Sequence, residues 1–143
     1  MYHDRLTIGV RPEPGYVIIT VAGEIDILTV TRLREELFTL AADGRPLIAD
    51  LDRVTFLGAA GLGALAGTAR RAAARGNSLH VVCAGPQTRQ LLQLTGLDRA
   101  LRLARTLAEA LQALPAARAP AARPARPPER VPARLGGAGD EDD

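Results

Sequence analysis

The stretch LIADLDRVTFLGAAGLGAL, residues 47–65, contains the pattern that decides the fold. It begins with two strand-like runs, 47–51 and 54–57, which a short polar link separates. Four small residues at 58–61 follow, and from Leu62 onward apolar residues recur at the spacing of a helix with one buried face. A strand that leads through a tight turn into an amphipathic helix is the building unit of an α/β fold.

Strands alternate with helices on both sides of this stretch. Apolar and β-branched runs predict further strands at residues 6–10, 16–22, 78–84 and 101–103. Helical spacing predicts helices at residues 30–40, 86–96 and 107–114, the last behind a capping box at 106–109. Helical crossovers imply a largely parallel sheet, while the short link 11–15 suits a hairpin at one edge. The prediction is one α/β domain over residues 1–114 with a mixed, mostly parallel sheet.

The composition changes sharply at Pro115. Six of the ten prolines and five arginines lie between there and Asp143, with only one valine and one leucine. A segment so poor in apolar residues cannot bury enough surface to offset the entropy of ordering it. Residues 115–143 are therefore predicted to be a disordered tail, rich in Pro, Ala and Arg, with an acidic end.

The overall composition excludes several classes of function. Aromatic residues make up 3% of the chain, too few for a platform that stacks single-stranded nucleic acid. The net charge is +2, and over residues 1–114 the basic residues, all arginine, alternate with acids instead of forming a basic run. The longest small-and-apolar run, 57–67, is about half of what a membrane span needs, and residues 1–10 show no signal peptide. We expect a cytoplasmic protein that binds neither nucleic acid nor a membrane.

Each sequence pattern that could indicate an active site lacks a residue that the chemistry requires. Gly61 and Gly63 begin a dinucleotide-type GxGxxA pattern, but the acidic residue expected about 20 positions later is absent, and a chain without lysine has no P-loop. Ser78, the only serine, shares a strand face with His80, but no third group to orient the pair is evident. Cys83 is the single cysteine and is interpreted as a small core residue. Carboxylates are scattered. The sequence predicts no catalytic residue, no metal and no cofactor.

Several segments nevertheless have a recognisable order and spacing. They are the strand 17–22 followed by Gly23-Glu24-Ile25-Asp26, the helix around 33–37, the stretch 47–57, the Gly-Leu-Gly-Ala-Leu run at 61–65, and residues 81–84 and 91–97. Together they resemble the STAS domain of bacterial anti-sigma factor antagonists, over about residues 5–112. The resemblance implies about four or five strands with helices largely on one side. It also implies a regulator of transcription, not an enzyme, that binds an anti-sigma factor, often a serine kinase of the GHKL type, and so releases a sigma factor.

The phosphorylation motif of that family is altered in this sequence. The family pattern is Asp-Ser-Ser/Thr-Gly, and phosphorylation of its first Ser by the anti-sigma kinase breaks the complex. Here Gly58, Ala59, Ala60 and Gly61 stand at the four positions. A phosphate would bring about −1.5 to −2 charges to an interface, and Ala59 cannot carry one. The resemblance therefore predicts an antagonist that docks but is not switched by phosphorylation.

The resemblance also places the docking surface. Its candidate partner-binding residues are Glu24, Asp26, Gly58, Ala59, Ala60, Gly61 and Leu62. Asp26 has a second interpretation as a turn residue, and Gly23, Gly61 and Gly63 are better interpreted as positions that permit tight turns and close approach. Two alternatives stay open: a STAS subunit of another complex, such as a lipid-transport ATPase or a signalling scaffold, and, more remotely, a hydrolase or nucleotide-binding enzyme.

Overall fold

Strands and helices alternate along residues 5–114, the part of the chain that the computed structural model describes. In chain order they are β1 (Leu6–Glu13), β2 (Tyr16–Ile25), α1 (Val30–Ala42), β3 (Leu47–Leu57), α2 (Ala59–Ala74), β4 (Leu79–Val82), α3 (Pro86–Leu94), β5 (Arg102–Ala104) and α4 (Leu107–Gln112). A 3-10 turn at Leu97–Arg99 links α3 to β5. The predicted disorder of residues 115–143 lies outside the described residues.

The strands form one sheet in the order β1-β2-β3-β4-β5 over the described residues. β1 pairs with β2 in antiparallel fashion, so the hairpin at one edge is confirmed. The remaining neighbours, β2 with β3, β3 with β4 and β4 with β5, are parallel. Each parallel pair is joined by a helical crossover, as this arrangement requires. The mixed, mostly parallel sheet is as predicted.

The two faces of the sheet are covered unequally. On one face the main core joins the sheet to α1, α2 and α3 through Leu33, Leu65 and Leu92. On the other face a smaller cluster joins Ile18 and its neighbours to α4 alone. Side chains alternate between faces along a strand, so β2 serves both layers, with Val17 and Ile19 in the main core and Ile18 in the smaller cluster. Helices largely on one side are thereby confirmed.

Three strands extend further than the sequence predicts. β1 continues through Pro12 to Glu13, and β2 continues to Ile25, so the predicted break at residues 23–26 is wrong for the first three of them. β3 also runs without the predicted link at residues 52–53. The physical reason is that two register shifts against β2 absorb the extra β3 residues as bulges, so pairing resumes after each.

Gly23 shows why β2 can continue. Its φ is +109°, and a Cβ at this position would lie 2.0 Å from the Arg5 carbonyl oxygen. Only glycine combines this backbone conformation with such a close approach to β1. The interpretation of Gly23 as a backbone-permissive residue is confirmed, and its effect is to carry β2 on to the edge where the candidate site lies.

Candidate functional site

β2 and β3 end side by side, and this brings two separated segments of the sequence together. The Gly58 N–H donates to the Ile25 carbonyl over 3.0 Å, which ties the entry of α2 to the end of β2. The pairing of Glu24 with Phe56 places the last residues of the two strands in register. We call residues 24–28 and 56–62 the carboxyl-edge surface. It contains all seven residues predicted to bind a partner.

The entry of α2 is built from small residues packed against β2 and β3. Gly58 precedes the helix with extended backbone, and its carbonyl accepts from the N–H groups of Gly61 and Leu62 at 3.0 and 3.1 Å. A Cβ on Gly61 would lie 2.5 Å from Leu57 Cδ1 and 2.6 Å from Ile25 Cγ2. Gly61 is therefore buried because the helix starts directly on those side chains, and its predicted role in close approach is confirmed.

The first turn of α2 leaves Ala59 at the surface. Ala59 is exposed, while Ala60 and Leu62 are half-buried and pack against the main core. A Cβ on Gly58 would lie 3.0 Å from Cε2 of the Phe56 ring, so an aspartate there would require the ring to shift. That ring is 52% exposed and has room to move. Because residues 58–62 are Gly, Ala and Leu, the surface at this helix start carries no charged side chain.

An ion-pair cluster organises the β2–α1 loop. Arg5, just before β1, donates to Glu24 Oε1 from Nε at 3.0 Å and from Nη2 at 2.6 Å. The same guanidinium pairs with the Asp26 carboxylate. The hydrogen bond to Glu24 is the main reason that the pKa of Arg5 is raised above its ordinary value. One cation, directly before the edge strand, thus pairs with both of the acidic residues that were predicted to contact a partner.

Asp26 also shapes the turn into α1. Its Oδ1 accepts from the backbone N–H groups of Leu28 and Thr29 at 2.9 and 3.1 Å. Burial opposes ionisation, but those two hydrogen bonds and the Arg5 charge outweigh it and lower the pKa of the Asp26 carboxyl below its ordinary 3.8. The side chain of Asp26 is 19% exposed, against 46% for Glu24. Asp26 therefore acts in the turn, and Glu24 offers the more accessible carboxylate.

Three exposed apolar side chains on this surface were missed by sequence reasoning. Ile27 and Leu28 are 75% and 77% exposed, and Phe56 is 52% exposed. An adjacent apolar pair between Asp26 and the helix, outside the α1 stripe, was the available signal for Ile27 and Leu28. Phe56 gave no signal, because it was assigned to the strand 54–57 and a strand position alone does not show which side chains stay exposed. Contiguous exposed apolar residues, such as the adjacent Ile27 and Leu28, are typical of protein-binding surfaces.

The side chains considered for catalysis lie outside the carboxyl-edge surface. His80 is buried at 4% exposure on the α4 side of β4, and Cys83 is a core residue on the opposite side. Burial raises the pKa of the Cys83 thiol, which makes it a poor nucleophile. Within residues 5–114, no hydrogen bond joins Ser78 to His80, and no group of three or more His, Cys, Asp or Glu side chains is placed to hold a metal. The helices of this part of the chain are all too short or too polar to cross a membrane.

The fold defines the class: a mixed sheet with three helices on one face, a short helix on the other, and two loops joined at the carboxyl edge. The STAS domain family matches residues 7–110. The chain belongs to the STAS domain family.

The chain is similar to proteins that are named anti-sigma factor antagonists. The anti-sigma-F factor antagonist RsfB of Mycobacterium tuberculosis is 38% identical over 111 residues, which cover 76% of this chain and 88% of the relative. The anti-sigma-B factor antagonist of Bacillus subtilis is 30% identical over 93 residues, 65% of this chain and 85% of the relative. The crystal structure of an anti-sigma factor antagonist from Mycobacterium paratuberculosis superposes with a TM-score of 0.70 at 39% identity, covering 77% of this chain and 94% of that one.

Proposed function

We propose that this protein is an anti-sigma factor antagonist: it binds an anti-sigma factor in the cytoplasm and so releases the sigma factor that was held. It acts by docking and not by catalysis. The names of its relatives support the partner class. The observation that carries the proposal on this chain is the carboxyl-edge surface, where apolar side chains stand exposed around an ordered loop.

The physical argument rests on preorganisation. The turn before α1 is held by Asp26, and the entry of α2 is tied to Ile25 by the Gly58 N–H. A surface that is ordered before binding loses less conformational entropy when a partner arrives. The exposed Leu28 side chain then supplies the apolar burial, with Glu24 as an accessible charge at its margin.

We further propose that the partner is an anti-sigma factor of the serine kinase type and that this kinase does not phosphorylate the antagonist. Ala59 stands exposed at the first turn of α2 where the family has its phosphorylated serine. Thr55 lies within β3, and Thr68 is buried, with Oγ1 donating to the Ala64 carbonyl at 2.7 Å. Neither hydroxyl can enter a kinase cleft without local unfolding. Docking then persists in the presence of ATP.

Leu28→Asp tests the docking surface. The partner is first captured from cells with the intact protein and identified by mass spectrometry, and its affinity is then measured by calorimetry. We expect at least a tenfold loss of affinity, because a charge replaces an apolar contact at the centre of the interface. Leu94→Asp is the matched control, since Leu94 is 76% exposed at the far end of α3. Equal affinities for the two variants would place the interface elsewhere.

Incubation with the purified kinase and labelled ATP tests the absence of a switch. The unaltered protein should stay unlabelled and bound, since no hydroxyl is presented at residues 57–67. The variant Gly58→Asp with Ala59→Ser restores the Asp and the phosphorylated Ser of the family motif, leaving Ala60 in place, and it should accept label and dissociate. Stoichiometric labelling of the unaltered protein would refute the constitutive antagonist.

A further inference from the structure

The outer edge of β1, on the side away from β2, has unpaired backbone N–H and carbonyl groups mainly in the middle of the strand. The Val17 N–H donates to the Pro46 carbonyl at 3.0 Å, so the backbone groups of Val17 point away from β1. Its antiparallel partner Pro12 is therefore in a non-hydrogen-bonded pair, and the Pro12 carbonyl points out of the sheet. Alternation along the strand directs the backbone groups of Val10, Ile8 and Leu6 outward in the same way.

Two features reduce the number of backbone groups that could pair with another strand at this edge. Pro12 has no N–H to offer, and the outward carbonyl of Leu6 accepts from Arg32 Nη1 at 3.2 Å. What remains is a short open section at Ile8 and Val10, each with one outward N–H and one outward carbonyl. No hydrogen bond within residues 5–114 reaches these outward groups, because β1 pairs only with β2 on its other side.

A groove runs along the same open section. It lies between β1 and α1, has a volume of about 280 Å³, and is lined by Ile8, Val10, Arg32, Glu35, Glu36 and Thr39. Ile8 packs against the main core as Leu6 does, so the apolar side chains of β1 form the floor of this groove. Unpaired backbone groups beside an apolar groove are the two features that bind an added strand.

We propose that this edge binds residues 131–135 of the chain's own tail as a short added strand. The segment reads Val-Pro-Ala-Arg-Leu and contains the only valine and the only leucine after Leu114. Its apolar residues alternate at Val131, Ala133 and Leu135, the period of a strand with one apolar face. With Val131 and Ala133 bonded to β1, Pro132 faces away from it, where a missing N–H costs nothing.

The tail also starts in the right place. Leu114 and Tyr16, the first residue of β2, both pack against the smaller cluster, and Glu13 at the end of β1 pairs with Tyr16. Residues 115–130 can span about 50 Å when extended, more than enough to pass round the hairpin to the groove. A tether of this kind gives an effective concentration in the millimolar range, so weak intrinsic affinity suffices.

A second copy of the chain is a poorer occupant. The groove wall carries Glu35 and Glu36 against the single cation Arg32, so a second copy, which brings a wall of the same net negative charge, gains no charge complementarity here. The tail segment 131–135 carries no acidic residue. Charge therefore favours binding of the tail over dimerisation.

Amide hydrogen exchange on the full chain tests the proposal. Val131→Asp with Leu135→Asp should release the segment and speed exchange of the Ile8 and Val10 N–H groups by about tenfold or more. Ala121→Asp with Ala125→Asp adds the same charge elsewhere in the tail and should leave both rates unchanged. Equal exchange of Ile8 and Val10 in the unaltered protein and the Val131/Leu135 variant would overturn the proposal.

Cross-linking identifies the occupant. In the full chain, Val10→Cys with Val131→Cys should form an intramolecular disulfide several-fold faster than Val10→Cys with Ala125→Cys. Cys83 is buried and does not compete. Covalent dimers formed at the same rate by Val10→Cys alone would show a second copy on this edge, and equal rates for the two cysteine pairs would show no preferred register; either result overturns the proposal.

Discussion

Gly61 and Gly63 lie two residues apart in α2 but carry opposite constraints. Gly61 is buried, and any Cβ there would overlap Leu57 and Ile25. Gly63 is exposed in the helix interior, and a Cβ would meet nothing within 4 Å. The prediction that both serve close approach holds for Gly61 and is wrong for Gly63, because sequence spacing does not tell which face of a helix meets the sheet.

Substitution of these glycines by alanine should therefore change stability in opposite directions. Gly61→Ala should destabilise the fold by about 1–3 kcal/mol, the usual cost of overpacking a close contact. Gly63→Ala should stabilise it by about 0.5–1 kcal/mol, because alanine loses less backbone entropy in a helix. Chemical denaturation of both variants measures the two effects, and a stabilising Gly61→Ala would contradict the packing described for the α2 entry.

At the scale of elements, α4 is set apart from the other helices. It covers the second face of the sheet, where Ile48 and Val82 pack against Ala110. One half of its capping box forms as predicted, since the Glu109 N–H donates to Thr106 Oγ1 at 3.1 Å, while the Glu109 carboxylate accepts from the Arg105 N–H instead of that of Thr106. His80 is buried on this face of β4. Burial and the Arg102 charge on β5 lower the pKa of the imidazole below its ordinary 6.5.

This buried histidine predicts a pH dependence of stability. Because the folded pKa is below 6.5, the unfolded chain binds more protons between the two values, and stability falls as pH falls. The His80 contribution is fully present above about pH 6.5 and is lost through the folded pKa, with a slope of at most about 1.4 kcal/mol per pH unit.

Unfolding of the unaltered protein and His80→Gln between pH 7.5 and pH 5 measures this effect. The unaltered protein should lose more stability over the range. His3→Gln removes the other histidine and should retain the steeper dependence. Identical slopes for the unaltered protein and His80→Gln would show that His80 is protonated equally in the folded and unfolded states.

At the scale of the whole molecule, residues 5–114 contain both apolar clusters and the complete order of strands from β1 to β5. The composition after Pro115 offers little further apolar surface. We therefore predict that a chain ended at Leu114 folds alone and loses less than about 2 kcal/mol of unfolding free energy, since only a weakly held segment is removed. Thermal and denaturant unfolding of both lengths measures the difference. A larger loss would make the tail part of the folded domain.

The amino-acid sequence by itself determined the class of fold, the element order, the edge hairpin and the STAS resemblance. These follow from hydrophobic periodicity and turn residues, which act locally and are read along the chain. It also determined that Ala59 cannot be phosphorylated. The bulged continuity of β3 was not predictable, because the polar residues 52–53 are accommodated only through pairing with β2.

Only the tertiary structure decided how the candidate site is assembled. Arg5 reaches Glu24 and Asp26 because β1 folds back along β2, a contact between residues that no local pattern connects. The exposure of Leu28 and Phe56 likewise depends on what the fold leaves uncovered at the carboxyl edge. Burial and long-range pairing are properties of the assembled sheet, so a pattern that marks a residue as apolar cannot tell a core position from a docking surface.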